Sequence, residues 1–287
     1  MIITKSTTPA ALRETMSITQ SMFRVAAIQM ASGPNVAGNL QEARRLLELA
    51  AGTGARIIAL PEYFAIMGMK DTDKVAARER DGAGPIQDFL AETARRNSIW
   101  LVGGTVPIEC SDEARVRNAC LVFDDAGKRV ARYDKIHLFA YRGENERYDE
   151  TRTIEPGDEP LAIASPFGRL GLSVCYDLRF PELYRRFGDV DCWFVPSAFT
   201  ATTGAAHWET LLRARAIENL CYVVAPAQGG RHPNGRVTHG HTMIVDPWGA
   251  VLGERAEGEG VVSAEIDARR LAEVRQSLPA LQNRKLS

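Results

Sequence analysis

RLGLSVCYDLRFPELYRRFGDVDCWFVP, Arg169 to Pro196, holds a complete strand–helix–strand unit, and its two strand-like runs decide how the chain is built. RLGLSV (Arg169–Val174) and CWFVP (Cys192–Pro196) are nearly continuous in apolar character, whereas a strand with one wet face alternates apolar and polar residues. Both strands are therefore expected to be covered on both faces, with a helix from Pro181 to Phe187 between them. Toward the C-terminus the pattern continues with a helix at Trp208–Asn219 and a strand at Cys221–Ala227. A hairpin then joins Thr242–Val245 to Val251–Glu254. Toward the N-terminus the same order appears in different words. FRVAAIQM (Phe23–Met30) is a strand, and Asn39–Ala51 is a helix with Leu40, Ala43, Leu46, Leu47 and Ala50 on one face. RIIAL (Arg56–Leu60) is the next strand, Ile86–Asn97 the next helix, and IWLVGGTV (Ile99–Val106) the strand after it. A hairpin of Asn118–Asp124 and Arg129–Tyr133 closes this half around Gly127. Two helices per half can cover only one face of each sheet, so the uncovered faces must meet. The expected fold is α/β, a four-layer α-β-β-α sandwich.

Composition removes several function classes. Lys and Arg total 35 against 36 for Asp and Glu, a net charge of -1, so no basic field exists to gather nucleic acid or anionic lipid. No apolar run reaches the roughly 18–20 residues of a membrane span. The cysteines number 5, an odd count, and none stands in a CxxC spacing; a disulfide framework and a zinc clip are both disfavoured, and a reduced, cytoplasmic setting is expected. Residues 1–22 are rich in Ser and Thr and lack an apolar signal core, which reads as a flexible extension ahead of a single domain spanning 23–287.

Three residues stand where chemistry is usually placed. Cys175 follows an apolar strand and precedes a helix start, a bend that presents its side chain near helix N-terminal amides favourable to thiolate. Glu62 ends the run RIIALPE, at the carboxyl end of a parallel strand where open α/β sheets place ligands. Lys135 lies in RYDKIHLF, with Ile136, Leu138 and Phe139 able to desolvate it. Taken singly, each has an ordinary reading: a core thiol, a capping carboxylate, a snorkelling lysine. Other constellations are weaker. GLSVC has Cys175 where a nucleophile elbow needs glycine, so Ser173 is expected to be a buried strand residue. A Cys–His pair with His137, His207, His239 or His241 lacks the C-G-S-C-W local sequence of papain-like cysteine proteases. His232, His239 and His241 have no acidic partner at metal-ligand spacing.

Together, LPE at Glu62, YDKIHLF at Lys135 and GLSVCYDLRFPEL at Cys175 resemble the nitrilase superfamily of carbon-nitrogen hydrolases, from about Phe23 to about Asp267. The resemblance implies the sandwich of the carbon-nitrogen hydrolase type, with Glu62 as general base, Lys135 as the cation facing the oxyanion and Cys175 as the nucleophile. It also implies a second glutamate before a Pro-Gly. Glu150 in RYDETRTIEPG fits that place, with Glu144 and Glu146 nearer to Lys135 in sequence. Amide hydrolysis needs a nucleophile, a proton carrier and a charge for the tetrahedral oxyanion, and these residues supply all three without cofactor or metal. The backbone N–H of Tyr176 is expected to share the oxyanion.

Tyr176, Asp177 and Arg179 after the cysteine look like an amidase branch. PSAFTATTGAAHWETLLRARAIENLCYVVAPAQGGRH (Pro196–His232) resembles the deaminated glutathione amidases and, more distantly, the omega-amidases. The implied partner is a small-molecule amide. Thr200, Thr203 and a helix N-terminus near His207 would suit a substrate carboxylate; Arg179, Arg142 or a basic residue near His232 would meet another anion. The segment Ala140-Tyr141-Arg142-Gly143 departs from the family's usual Asp and would lie over the site. Family members pair through helices beside the cysteine strand, and Phe180, Leu183, Tyr184 and Phe187 offer apolar surface for such a homodimer. A catalytically silent binding protein of the same fold is the alternative from another class.

Overall fold

The computed structural model describes residues 22–144 and 146–285, so the extension expected over residues 1–22 lies, but for Met22, outside the described residues. The first sheet is built from β1 (Met22–Gln29), β2 (Ala55–Ala59), β3 (Trp100–Val102), β4 (Val106–Glu109), β5 (Val116–Phe123) and β6 (Arg129–Asp134). Between them run α1 (Val36–Gly52), the short α2 (Asp73–Ala76) and α3 (Pro85–Asn97). β1, β2 and β3 are parallel, and β5 adds antiparallel to β3 with β4 and β6 beside it. The pleat sorts the side chains. Ala26, Ile28, Ile58 and Leu121 pack with Ala43, Leu46 and Leu47 of α1 and Phe89 and Leu90 of α3. Their sequence neighbours Val25, Ala27, Ile57 and Val122 join a second cluster with Leu170, Phe194 and Val223 from the other sheet. Both faces are buried, which is why the runs do not alternate. Each large aliphatic side chain so buried is worth about 1.5–3 kcal/mol.

The chain then forms a small hairpin of β7 (Ala140–Arg142) and β8 (Arg147–Asp149) and enters the second sheet. Its elements are β9 (Leu161–Ser165), β10 (Gly168–Leu172), α4 (Pro181–Arg185), β11 (Cys192–Phe194), α5 (Ala201–Asn219) and β12 (Tyr222–Ala225). A ribbon of β13 (Gly229–Arg231) and β14 (Val237–His239) follows, then the hairpin of β15 (Thr242–Val245) and β16 (Val251–Arg255). The order across this sheet is β16-β15-β12-β11-β10-β9. β17 (Gly260–Asp267) crosses back to pair antiparallel with β1 along the whole strand, and α6 (Ala268–Ser277) ends the described fold. The four-layer α-β-β-α sandwich is the architecture observed.

Three expectations need correction. The strand read over Ile99–Val106 is two strands, broken at Gly103–Gly104. Gly104 has φ +57, and a Cβ there would lie 2.2 Å from the Pro61 carbonyl; the break lets the chain after β2 pass close by. The helix read from Trp208 begins at Ala201, because Thr200 caps it by accepting from Thr203 N–H, and Gly204 lets His239 pack against its first turn. Lacking apolar periodicity, ATTGAAH concealed that turn. Finally, Leu183 and Tyr184 are buried and Phe187 packs on Trp193, so α4 does not present the exposed apolar face on which the homodimer was expected.

Candidate active site

The chain leaves β2 through Leu60 and Pro61 and places Glu62 in the interior, 1% exposed. Two contacts hold this turn: Gln228, just beyond β12 in the second sheet, donates from Nε2 to the Glu62 carbonyl at 3.0 Å, and Tyr63 N–H donates to Thr105 Oγ1 at 2.9 Å. Lys135 follows β6 and is fully buried. Its Nζ donates to Glu62 Oε1 at 2.9 Å and to Glu150 Oε2 at 2.8 Å. Among the three glutamates left open by the sequence, Glu150 is the one brought to Lys135; Glu144 is exposed, and Glu146 accepts from Thr202 Oγ1. Glu150 is held in turn by the Tyr63 hydroxyl at 2.7 Å and the Phe139 N–H at 2.7 Å.

Cys175 starts a 3-10 turn after β10 with φ +50, a left-handed conformation uncommon for a residue with a Cβ. Its N–H donates to the Pro196 carbonyl at 2.9 Å. The thiol is buried, not exposed at its bend as expected from sequence position. Asp177 fastens this turn to the lysine segment: its carboxylate accepts from Tyr133 Oη at 2.7 Å and from the N–H groups of Val174 and His137, and it meets His137 Nδ1 at 2.7 Å. His137 is therefore committed to Asp177 and stacks on Phe180. Ser173 is buried with its hydroxyl on Tyr184 Oη, as expected of a strand residue.

The electrostatics of the cluster follow from burial and the central ammonium. Burial pushes the Glu62 carboxyl above the usual carboxylate range, with Lys135 opposing. Burial opposes charge on Lys135 as well, yet Glu150 and Glu62 outweigh it and hold the ammonium well above its ordinary value. For Glu150 the balance falls the other way: against burial, Lys135, the Phe139 N–H and the Tyr63 hydroxyl keep the carboxyl below its usual range. Burial, then Glu62, push the Cys175 thiol well above the ordinary thiol range. One carboxylate is thus firmly ionised, and the other sits near a protonated thiol with its Oε2 buried and unpartnered. Asn118 Nδ2 donates to Glu62 Oε1 at 2.9 Å and orients it. A carboxylate with one oxygen anchored and one free can receive the thiol proton when attack begins.

A narrow recess opens beside Cys175, lined by Phe139, Tyr176, Arg179, Phe199, Thr200 and Thr203 among others. Arg179 spans the Tyr176 and Phe199 rings at 5.7 and 5.3 Å, and among the described residues it forms no ion pair with a carboxylate. Thr200 and Thr203 share a 2.9 Å hydroxyl contact. His207 lies within α5, exposed, with Nδ1 3.2 Å from Arg179 Nη1, and not at the helix N-terminus where it was expected. Arg142 is exposed on β7. Phe139 and Tyr148 bring the hairpin expected over the site against Tyr176, with Phe139 5.3 Å from the Tyr176 ring. His232 bonds the Ser32 carbonyl and Thr238, whereas His239 stacks on His241. Sequence reasoning passed over Tyr63, Asn118 and Gln228, each an ordinary polar residue until the fold aims it at Glu62 or Glu150; Asp177 was visible in the cysteine motif without a role.

The carbon-nitrogen hydrolase family model matches residues 24–276. The deaminated glutathione amidase of Synechocystis sp. is 44% identical over 268 residues, covering 91% of this chain and 98% of that protein. The omega-amidase of Homo sapiens is 36% identical, with 92% and 95% covered. The crystal structure of the NitFhit protein of Caenorhabditis elegans superposes with a TM-score of 0.83 at 37% identity; the match covers 92% of this chain and spans 65% of that one.

Proposed function

Because the chain belongs to the carbon-nitrogen hydrolase family, we propose that it is an amidase working through a thioester on Cys175 and that its substrate is deaminated glutathione. The observation that carries this reading is Lys135 held between Glu62 and Glu150 beside a buried, protonated Cys175. Glu62 takes the thiol proton as sulfur bonds to the amide carbon. The resulting oxyanion is received by the Lys135 ammonium and the Tyr176 N–H. Glu62 returns the proton to the amide nitrogen, the C–N bond breaks and cysteinylglycine leaves. Water, deprotonated by Glu62, then attacks the thioester; the C–S bond breaks, 2-oxoglutarate departs and the proton returns to sulfur. Glu150 keeps its charge throughout and positions Lys135. Arg179, with the Thr203 hydroxyl and the Thr200 cap beside it, is assigned the carboxylate of the acyl part, and exposed His207 backs Arg179.

The substrate choice draws on the similarity to the Synechocystis enzyme. Acid-quenched protein should carry the mass of a 2-oxoglutaryl group, and Cys175→Ala should show neither that adduct nor turnover while remaining folded. Comparing kcat/KM for deaminated glutathione, 2-oxoglutaramate and an N-carbamoyl amino acid tests the substrate. Preference for either of the last two overturns it and leaves the mechanism intact. A cytoplasmic homodimer without nucleic-acid partners belongs to the same reading, supported by free cysteines and a net charge of -1. Ile217 and Trp248 are exposed, at 45% and 56%, and offer apolar surface away from α4 for such pairing; a sedimentation mass of one chain at micromolar concentration contradicts it. No helix among the described residues is long and apolar enough to cross a membrane.

A further inference from the structure

The residue next to Glu62 opens onto a second recess. Tyr63, whose hydroxyl holds Glu150, also lines a shallow cleft with Met67, Lys74, Asn234 and Arg236. The cleft is cationic for reasons local to the fold. Lys74 reaches inward from α2, with Nζ 5.5 Å from the Tyr63 ring centre and 3.3 Å from Thr153 Oγ1. Arg236 lies over the Tyr148 ring at 4.8 Å and points Nη1 at the Met67 sulfur, 3.8 Å away. Its Nε is buried without a hydrogen-bond partner. Among the described residues, neither cation forms an ion pair. Lys70 and Asp71 lie exposed at the rim; Glu150 and Asp71 act on Lys74 through space, but neither they nor any other described carboxylate forms an ion pair with Lys74 or Arg236.

The loop carrying Arg236 is locked in place. Asn234 Nδ2 donates to the Gly68 carbonyl at 2.8 Å, and Asn234 Oδ1 accepts from the Arg236 N–H at 3.0 Å. A buried guanidinium N–H with no acceptor is costly unless something supplies one. A carboxylate matches this demand: one oxygen for the planar guanidinium, the other for the point charge of the ammonium.

We propose that this recess is a subsite for the carboxylate that ends the leaving amine, with Arg236 and Lys74 as its two cations. This rests on the amide reading above and deepens it. Tyr63 lines the cleft and holds Glu150, the partner of Lys135, so the cleft borders the catalytic cluster; the departing group is assigned to this side because Glu62 delivers its proton to the leaving nitrogen. The acyl carboxylate has its own cation, Arg179, in the recess at Cys175. A leaving dipeptide extends about 7 Å, so the assignment requires Arg236 and Lys74 to lie within that reach of the scissile nitrogen.

The test compares deaminated glutathione with the same molecule ending in a carboxamide, using wild type, Arg236→Leu, Arg236→Lys and Lys74→Met. Wild type should favour the carboxylate form tenfold or more in kcat/KM. That ratio should fall toward one in Arg236→Leu, fall in part in Lys74→Met and be partly restored in Arg236→Lys. Equal treatment of both forms by wild type overturns the inference, as does an unchanged ratio in Arg236→Leu. So does an equal fall on both forms, which assigns Arg236 to positioning Tyr148. If another amide proves to be the preferred substrate, the substrate reading fails separately. Inhibition of that reaction by cysteinylglycine, relative to cysteinylglycinamide, then decides the subsite: selective inhibition lost in Arg236→Leu supports it, and unselective inhibition removes it.

Discussion

Lys135 and Lys74 point their ammonium groups into the same region of the protein, and their surroundings drive them in opposite directions. Burial disfavours charge on both. Around Lys135, Glu150 and Glu62 outweigh burial and hold the ammonium charged far above the ordinary lysine range. Around Lys74, burial prevails, the nearest hydrogen-bond partner is a threonine hydroxyl, and the ammonium is pushed below its usual value. The difference lies in what each cation is asked to meet. Lys135 is held in a closed cluster, its ammonium paired with both Glu62 and Glu150 before any substrate arrives. Lys74 feels Glu150 and Asp71 only through space and, like Arg236, has no ion-pair partner among the described residues, a state suited to cations that await an anion.

The comparison breaks most visibly at Lys135. Lys135→Met keeps the volume but leaves two buried carboxylates facing each other, so turnover should be lost and stability should drop by about 3–5 kcal/mol; chemical denaturation followed by two probes measures the second effect. A mutant of wild-type stability contradicts the charge balance of the cluster. At Glu62 the effect should be on rate. Glu62→Gln removes the proton carrier and should lower kcat about 100- to 10,000-fold. Because burial raises the Glu62 carboxyl above 4.5, the acid limb of kcat/KM should lie above the ordinary glutamate range. Activity is lost as pH falls through it, since the protonated carboxyl cannot accept the thiol proton. Asn118→Ala, which removes a donor to the ionised form, should move that limb to higher pH; an unmoved limb assigns it to another group.

The smallest effect belongs to Lys74. Its pKa is lower folded than unfolded, so between those values the unfolded chain holds more protons and stability rises with pH. Lys74→Met removes a buried cation that has no ion-pair partner among the described residues and should be neutral or stabilising by about 1 kcal/mol, opposite in sign to Lys135→Met. A thermal melt showing loss comparable to Lys135→Met rejects the contrast between the two lysines.

Much of this site was legible because its parts lie in distinctive local sequence. The strand ends before Glu62 and Cys175, and the apolar flank of Lys135, announce themselves within a few residues, since β-strands buried on both faces must be written as continuous apolar runs. The choice of Glu150 over Glu144 and Glu146 was not legible. All three are glutamates a few residues apart, and only the contacts of Tyr63 and Phe139 select one. The start of α5 was hidden for a similar reason. Its first turns are defined by the Thr200 cap and by Gly204 lying against His239, a residue far along the chain, rather than by periodicity.

By itself the sequence determined the alternation of strands and helices, the sandwich that two half-covered sheets require, and three residues, Glu62, Lys135 and Cys175, as the candidates for one site. Tertiary structure alone decided how those residues are charged and held: Gln228 reaching from the second sheet to Glu62, Asp177 tying the cysteine turn to His137 and Tyr133, and Lys74 meeting Arg236 across a cleft. Pattern along a chain reports which side chains leave water, because burial depends on local periodicity. The protonation of a buried group depends on which charges lie within a few ångströms of it, and those neighbours come from segments far apart in the chain.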